Sequence, residues 1–253
     1  MYVVATPIGN LEDITLRALR ILGEVELIAA EDTRTARKLL TKYNIGTRLT
    51  SYFEHNQKLK LSLLLDTLEN ADVALISEAG MPGISDPGYD LVRGAIKNGY
   101  KVIPVPGSSA VVAALAAAGM PADQFVFLGF LPRKPGERKR LLQSVSDESR
   151  TVVCFESPHR LLKALNDIRD ELGDRRIAVC RELTKIYEEI FRGTVSEAIA
   201  YFLKPRGEFT LVIEGAGKLK KGLPGTKKKQ RSGERTCSKS IRGSDGEYYP
   251  SAR

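Results

Sequence analysis

Cysteine and histidine are scarce in this sequence, and neither is grouped. Cys154, Cys180 and Cys237 form no CxxC pair, and the chain contains two histidines. Zinc sites and disulfide frameworks need closely spaced sets of such residues. We therefore predict no metal site and no disulfide network, and the cysteine usage favours a reducing compartment.

Long apolar runs are also missing. The longest one, AVVAALAAAG (110–119), is much shorter than the ~18 residues that a membrane-spanning helix requires. The first residues, MYVVATPIGN, contain no basic segment followed by an apolar stretch, so we predict no signal peptide. The expected protein is soluble and cytoplasmic, with no membrane partner.

Three common catalytic patterns are absent as well. The chain has no GxGxxG after a strand, no GxxxxGK[ST] and no GxSxG. These absences argue against dinucleotide-dependent dehydrogenases, P-loop enzymes and serine hydrolases.

Positive charge is confined to one end of the chain. The net charge is +8, and residues 218–253 contain 11 basic and 3 acidic residues, so the rest of the chain is neutral. The body is therefore not a generic nucleic-acid binder, and any RNA-binding surface on it must be local.

Apolar runs alternate with amphipathic segments up to about residue 214, which favours α/β architecture with mostly parallel strands. The predicted strands are 2–5, 25–30, 72–77, 101–105, 124–129, 150–155, 175–180 and 209–214. The predicted helices are 13–22, 33–42, 58–69, 88–98, 109–118, 135–146, 158–171 and 194–203. Residues 186–192 are expected to pair antiparallel, and SYFEHN (51–56) could close a further short strand.

The helix that ends in GMPAD marks a boundary. We predict an N-terminal α/β domain (1–118), a C-terminal α/β domain (119–217) and a basic low-complexity tail (218–253). The tail has almost no apolar periodicity and is expected to be disordered.

Two strand-to-loop units carry the clearest functional pattern. VALISEAGMPGISDPG (73–88) and KVIPVPGSSA (101–110) each run from an apolar strand into a loop rich in glycine and proline. Glycine lets the backbone approach a ligand, and proline stiffens the loop. A single such loop is usually a plain turn. Polar or Gly/Pro motifs at successive strand ends instead predict a ligand cleft.

The ordered set of motifs resembles the tetrapyrrole (corrin/porphyrin) methylase superfamily, and more closely its rRNA-modifying branch. The residues that carry this resemblance are TPIGNLEDIT, AAEDTR, SYFEHN, SEAGMPGISDPG, PVPGSSA, GFLPRK, FESPHR and RELTK. The resemblance implies two α/β subdomains with a cleft between them and S-adenosylmethionine as methyl donor. It also implies 2′-O-methylation of a cytidine near the decoding centre of small-subunit rRNA, by a homodimer.

The resemblance also assigns residues to the cleft. Those expected to bind the donor are Pro7, Ile8, Glu78, Ala79, Gly80, Pro82, Ser108, Ser109, Leu131, Phe155, Gly207, Glu208 and Phe209. A sulfonium donor with an adenosine group needs apolar walls and main-chain contacts, which these loops supply. The helix start after Ser109 would add free N–H groups.

Methyl transfer to a ribose hydroxyl requires alignment and the removal of a weakly acidic proton. The candidate catalytic residues are Glu31, Asp32, Arg34, His55 and Asn56. His55 has the most suitable unperturbed pKa for a base. Asp32 and Arg34 could instead form a structural ion pair.

A basic loop follows the GFLP motif. Its candidate RNA-binding residues are Arg133, Lys134, Arg138, Lys139 and Arg140, although such charge runs are often only solvated surface. Arg34, Arg37 and Lys38 could extend the patch. His159 could hold a helix start, capped by Ser157, or contact RNA, and Glu182 and Lys185 are equally ambiguous.

Other interpretations remain open at the level of sequence. The resemblance implies a compact helical segment after VIEG (212–215), whereas this chain continues into basic low-complexity sequence. That tail is either an altered reading frame or an RNA-tethering arm. The whole chain could also be a tetrapyrrole-precursor C-methyltransferase or a non-catalytic RNA-binding factor.

Overall fold

The computed structural model describes residues 1–217, and the predicted tail, with Cys237, lies outside the described residues. The strands are β1 (Tyr2–Val4), β2 (Leu27–Ala30), β3 (Arg48–Ser51), β4 (Val73–Ile76), β5 (Ile103–Val105), β6 (Phe125–Phe130), β7 (Thr151–Glu156), β8 (Arg176–Arg181), β9 (Glu189–Thr194) and β10 (Phe209–Ile213). The helices are α1 (Leu16–Glu24), α2 (Thr33–Lys42), α3 (Gln57–Leu68), α4 (Tyr89–Lys97), α5 (Ala110–Ala118), α6 (Pro135–Gln143), α7 (Leu161–Leu172) and α8 (Val195–Tyr201). Within these residues no helix is long and apolar enough to cross a membrane.

The first sheet has the order β3-β2-β4-β1-β5, and all its pairs are parallel. Parallel strands covered on both faces consist of continuous apolar runs, and β2 (LIAA) and β4 (VALI) are buried along their whole length. Separate apolar clusters cover the two faces, one built around Leu22 and Ile28 and the other around Leu64 and Leu75. The parallel arrangement places the loops after these strands at one edge of the sheet.

The second sheet has the order β6-β7-β10-β8-β9, and only β6 and β7 pair in parallel. The prediction of mostly parallel strands is therefore wrong for this sheet, whereas the predicted antiparallel pairing around 186–192 is confirmed by β8 and β9. A parallel pair needs a crossover of a dozen or more residues, and the segment 182–188 between β8 and β9 is too short for one.

Helix α5 connects the two sheets. It follows β5 of the first sheet, but Val111, Ala114 and Leu115 pack against Val153 and Val212 of the second. Ser109 caps α5, since its hydroxyl accepts from the N–H of Val112, and Gly119 ends the helix in a left-handed conformation. This packing brings the strand-end loops of the first sheet against the second sheet within one compact unit.

One predicted helix start is displaced. The sequence predicts a helix from 158 capped by Ser157, but α7 begins at Leu161. The side-chain oxygen of Ser157 instead accepts from Arg160 Nε, at 3.0 Å. His159 lies in the turn before α7 and is exposed, so it does not hold the helix start.

Candidate functional site: a cleft between the two sheets

Two loops of the first sheet are joined at the cleft. Thr6 N–H donates to the carbonyl of Gly80 at 2.9 Å, and Gly80 N–H donates to the carbonyl of Thr6 at 3.0 Å. Gly80 has a φ of +81°, which side-chain-bearing residues rarely adopt. The pairing fixes the loop after β1 to the loop after β4, so that both present backbone to the same space.

A cavity of about 780 Å³ lies beside this pairing. Its size suits a cofactor or other small molecule. The residues that line it are Thr6, Pro7, Ile8, Gly9, Leu11, Glu31, Thr35, Ala36, Lys38, Leu39, Ile76, Ser77, Glu78, Ala79, Gly80, Met81, Ile84, Ser85, Asp86, Ser109, Ala110, Val111, Phe130, Phe155, Glu156, Ser157, Pro158, Cys180, Leu183, Lys185, Glu208, Phe209 and Thr210. Both sheets thus contribute walls to one space.

Five acidic residues line the cavity: Glu31, Glu78, Asp86, Glu156 and Glu208. Burial, and then the nearby charge of Glu31, raises the pKa of Asp86 to about 6. Burial also raises the pKa of Glu31, against the effect of the Glu78 N–H, which donates to Glu31 Oε2 at 3.3 Å. Carboxyl groups held this way bind a proton more readily than free ones.

A lysine held by two carboxylates lies in the part of the cavity wall that the second sheet contributes. Lys185 Nζ lies 3.0 Å from both Glu182 Oε1 and Glu208 Oε2. These partners raise the pKa of Lys185 although burial alone would lower it. Glu182 also accepts from the N–H of Glu208 at 2.9 Å, which fixes the start of β10.

Gly207 offers a test of this arrangement. Its φ is +88°, and a methyl group there would approach Glu182 Cγ to 2.5 Å. We expect Gly207→Ala to displace Glu182, move Lys185, and weaken ligand binding in the cavity several-fold, at a stability cost of about 1 kcal/mol or more. Calorimetry with S-adenosylmethionine and a thermal melt measure both effects. Gly23→Ala in α1 is the control, because open space surrounds that position. Unchanged ligand binding in Gly207→Ala would show that the position of Glu182 and Lys185 does not affect the cavity.

The cavity contains most of the residues predicted to bind the donor. They are Pro7, Ile8, Glu78, Ala79, Gly80, Ser109, Phe155, Glu208 and Phe209. Pro82, Ser108, Leu131 and Gly207 do not line it. Leu131 is buried in the core of the second sheet, and the Ser108 hydroxyl donates to the carbonyl of Asp13.

The predicted catalytic residues separate into two groups. Glu31 lines the cavity, whereas Asp32, Arg34, His55 and Asn56 do not. Asp32 caps α2, pairs with Arg34 at 2.9 Å, and has a pKa lowered to about 2 chiefly by its hydrogen bonds to Arg34. Asp32 and Arg34 therefore form the structural ion pair that was the alternative to a catalytic role for them.

The two predicted catalytic residues of segment 51–56, His55 and Asn56, also lie outside the cavity lining. The side-chain oxygen of Asn56 accepts from Phe53 N–H at 2.9 Å, and its amide donates to the hydroxyl of Ser51 at 3.0 Å. Asn56 therefore holds its own loop. His55 is exposed, and its ring centroid lies 6.3 Å from that of Phe53.

One residue predicted to bind RNA from the basic loop, Arg138, is buried. Arg138 is 3% exposed, and its Nε donates to Asp167 Oδ2 at 2.7 Å. The prediction that Arg138 binds RNA is therefore wrong, because its charge is used inside the protein. Lys139 lies 3.7 Å from both Asp167 and Glu171, whereas Arg133 and Arg140 are exposed. Lys134 is exposed and paired with Glu137.

Two cavity residues, Asp86 and Glu156, were not among the predicted site residues. Both occur in motifs that were recognised, SEAGMPGISDPG and FESPHR, and both line the cavity. The available signal was their position within strand-end motifs. The charge that acts on Asp86 belongs to Glu31, which is distant in sequence, so its effect could not be derived from spacing. The partners of Glu156, Ser157 and Arg160, are close in sequence, but the burial of Glu156 depends on the folded chain.

The sequence model for the family described as Tetrapyrrole (Corrin/Porphyrin) Methylases matches residues 1–199. The chain belongs to this family. It is a methyltransferase, and its methyl donor is S-adenosylmethionine.

Individual relatives are similar over most of their length. The ribosomal RNA small subunit methyltransferase I of Halalkalibacterium halodurans is 51% identical, over 86% of this chain and 76% of that protein. The protein of the same name from Thermotoga maritima is also 51% identical, over 85% of this chain and 98% of that protein.

Solved structures share the fold at much lower identity. The methyltransferase CobJ superposes with a TM-score of 0.63 at 20% identity, covering 85% of this chain and 93% of that one. A cobalamin biosynthetic enzyme, cobalt precorrin-4 methyltransferase, gives a TM-score of 0.63 at 19% identity, with coverage of 84% and 93%. At this identity the likeness concerns the fold alone.

The residues of the cavity fit the methyl donor. Ile8, Ala79 and Val111 offer apolar surface, and the α5 start offers N–H groups beside Ser109. Glu31 and Asp86 offer negative charge to a cationic sulfonium. We propose that this cavity holds the donor between the Thr6–Gly80 pairing and Phe155.

Proposed function

We propose that the chain transfers a methyl group from S-adenosylmethionine to the 2′-oxygen of a cytidine in small-subunit rRNA, near the decoding centre. The observation that carries the proposal is the placement of Glu31 and Asp86 in the same cavity as the donor-binding motifs. Relatives about half identical over most of the chain bear the name ribosomal RNA small subunit methyltransferase I. These names support RNA as the substrate class.

The proposed chemistry is a displacement at carbon. S-adenosylmethionine, when bound, supplies an electrophilic methyl group. The ribose oxygen forms a bond to that carbon while the carbon–sulfur bond breaks, so the hydroxyl proton must pass to an acceptor. Asp86 is our proposed acceptor, with Glu31 beside it to share the proton. A pKa of about 6 allows Asp86 to be ionised at neutral pH and still bind the proton better than an ordinary carboxylate.

The RNA would be held by phosphate contacts outside the cavity. Arg133 and Arg140 are exposed on the basic loop and α6, which follow the cavity residue Phe130 along the chain. With Arg138 excluded, these two arginines, together with the partly paired Lys134 and Lys139, form the proposed RNA-binding surface.

Removing both exposed arginines tests that surface. We expect Arg133→Ala with Arg140→Ala to weaken binding of the small ribosomal subunit by about 5- to 20-fold and to reduce its salt dependence, because phosphate contacts release counterions. Filter binding at several salt concentrations measures both quantities, and donor affinity should not change. The charge-matched control is Arg93→Ala with Lys97→Ala on α4, which is exposed and outside the cavity lining. An equal loss in both double variants would contradict a specific RNA surface.

We further propose a homodimer that acts in the cytoplasm. Both suggestions rest on the family resemblance and on the proposed ribosomal substrate. Sedimentation equilibrium of the purified chain should give twice the mass of 27.8 kDa. A single-chain mass across micromolar concentrations would contradict the dimer.

Incubation with labelled S-adenosylmethionine and unmethylated small ribosomal subunits tests the activity. We expect about one methyl group per subunit, all of it in the RNA. Label that appears on a porphyrinoid precursor and not on RNA would contradict the proposal.

A further inference from the structure

Helix α2 carries an excess of positive charge. Its sequence, TRTARKLLTK, contains four basic side chains, Arg34, Arg37, Lys38 and Lys42, and no acidic one. All four are exposed. Arg34, Lys38 and Lys42 follow one another at intervals of four residues, and Arg37 lies beside them, so the four side chains share one side of the helix. We call this side the α2 basic face.

This charge does not stabilise the helix itself. Arg34 is paired with Asp32, whereas Arg37, Lys38 and Lys42 form no ion pair within the part of the chain that the structure describes. Like charges four residues apart, such as those of Arg34 and Lys38, repel one another and destabilise a helix. Bound anions would relieve this repulsion. The α2 basic face therefore points to an anionic partner.

One edge of the α2 basic face opens at the cavity. Thr35, Lys38 and Leu39 all line the cavity. Leu39 is buried, and the Thr35 hydroxyl donates to Glu78 Oε1 at 3.4 Å, so this side of the helix faces inward. Lys38 lines the cavity and is also exposed, which places its side chain at the mouth.

Lys38 is also the lysine of the cavity that is available to a ligand. The other lysine in the lining, Lys185, lies 3.0 Å from both Glu182 and Glu208. The remaining charged residues of the lining are acidic. An anion is therefore attracted to the mouth and repelled from the interior. A nucleotide whose ribose enters the cavity keeps its phosphates outside, which matches this distribution of charge.

We propose that the α2 basic face binds the phosphates of the RNA strand that delivers the target nucleotide, with Lys38 at the phosphate next to the reacting ribose. Phosphate contacts fix the register of a nucleic acid without reading its bases. Helix α2 follows β2 of the first sheet, whereas Arg133 and Arg140 follow β6 of the second. Elements of both sheets would thus hold the strand. The inference rests on the proposed function, since it concerns how that RNA is bound.

Arg37→Gln with Lys38→Gln tests the surface. We expect this double variant to bind unmethylated small ribosomal subunits about 5- to 20-fold more weakly, with a salt dependence reduced by about one counterion for each lost phosphate contact. Filter binding without donor, at several salt concentrations, measures both quantities. The charge-matched control is Arg93→Gln with Lys97→Gln on α4, an exposed pair outside the cavity lining. An equal loss in the two double variants, or no loss in the first, would overturn the proposal.

Single substitutions locate the contact at the cavity mouth. Lys38→Gln should raise the KM for subunits about fivefold, whereas Lys42→Gln, one turn further along α2 and outside the cavity lining, should raise it less. Lys38→Arg keeps the charge and should stay near the wild type. These exposed changes remove repulsion, so thermal melts should show no loss of stability. Equal effects at positions 38 and 42 would overturn the assignment of Lys38.

The carboxylate of the methyl donor is another anion that could reach Lys38. Calorimetry with S-adenosylhomocysteine, which carries the same carboxylate, separates the two ligands. The proposal predicts that Lys38→Gln leaves this affinity unchanged. A loss of affinity for S-adenosylhomocysteine together with normal subunit binding would overturn the proposal, because it would assign Lys38 to the donor.

Subunit binding is measured without donor, so this inference and the proposed function fail in different ways. A wild type that methylates RNA, with an Arg37→Gln and Lys38→Gln variant that binds subunits as tightly, would contradict the role of the α2 basic face alone. A wild type that binds subunits through α2 but transfers no methyl group would contradict the proposed function alone.

Discussion

Replacing Asp86 by asparagine is expected to slow methyl transfer about a hundredfold to ten-thousandfold at pH 8, in keeping with the usual contribution of a general base. Asparagine preserves the size and most of the polarity of the side chain, but it cannot accept the ribose proton. Because Glu31 remains beside it, we expect the loss to deepen when Glu31→Gln is added. Donor binding should fall much less than the rate.

The pH dependence follows from the raised pKa of Asp86. The base works in its ionised form, so the wild-type rate should rise as the pH increases through about 6 and then level off. The folded protein binds the proton more tightly than the unfolded chain. The contribution of Asp86 to stability is therefore fully present below about pH 4 and is lost as the pH rises through about 6.

Asp86→Asn should accordingly melt at a higher temperature than the wild type at pH 8 and at the same temperature near pH 4. Single-turnover rates and thermal melts across this range measure both effects. Asp123→Asn, an exposed carboxylate in the loop before β6, is the control and should change neither. A variant at position 86 that is fully active at pH 8 would exclude this residue as the proton acceptor.

The second large effect concerns stability. Arg138→Met should lower the free energy of unfolding by about 3 to 5 kcal/mol, because it leaves Asp167 buried without its main partner. Arg138 and Asp167 join α6 to α7, and both residues are buried. Arg138 also donates to the carbonyl of Pro132, so the loop before α6 loses a contact too.

Chemical denaturation of three variants checks this account. Arg140→Met lies on the same helix with an exposed side chain and should change stability by less than about 0.5 kcal/mol. Arg138→Met combined with Asp167→Leu should recover much of the loss, since it removes both buried charges. A single Arg138→Met variant as stable as the Arg140→Met control would contradict the assigned role of the pair.

The strands and helices were largely predictable because their apolar runs are continuous or periodic. The predicted helix at 33–42 coincides with α2, and the strand predicted at 72–77 contains β4. The direction of the strands in the second sheet was not predictable in the same way. It depends on β10 inserting between β7 and β8, a long-range pairing that composition does not reveal.

The sequence predicts which loops form the candidate site, but it does not predict what each side chain does there. Gly80 and Ser109 lie where the motifs place them. Histidine is the residue type most often used as a general base, yet the loop turns His55 to solvent. Asp86 acquires its raised pKa from burial and from Glu31, which are properties of the folded chain. Arg138 was read as a surface charge because its partner, Asp167, comes from a distant helix.

The most direct test of the account is to locate the transferred methyl group. Small-subunit rRNA methylated by the wild-type protein would be cleaved with alkali, which cannot cut next to a 2′-O-methylated ribose. The account predicts one protected cytidine position with the wild type and, in the same time, little or no protection with Asp86→Asn. Full alkaline cleavage of RNA that carries the methyl label would place the methyl group on a base and contradict the proposed reaction.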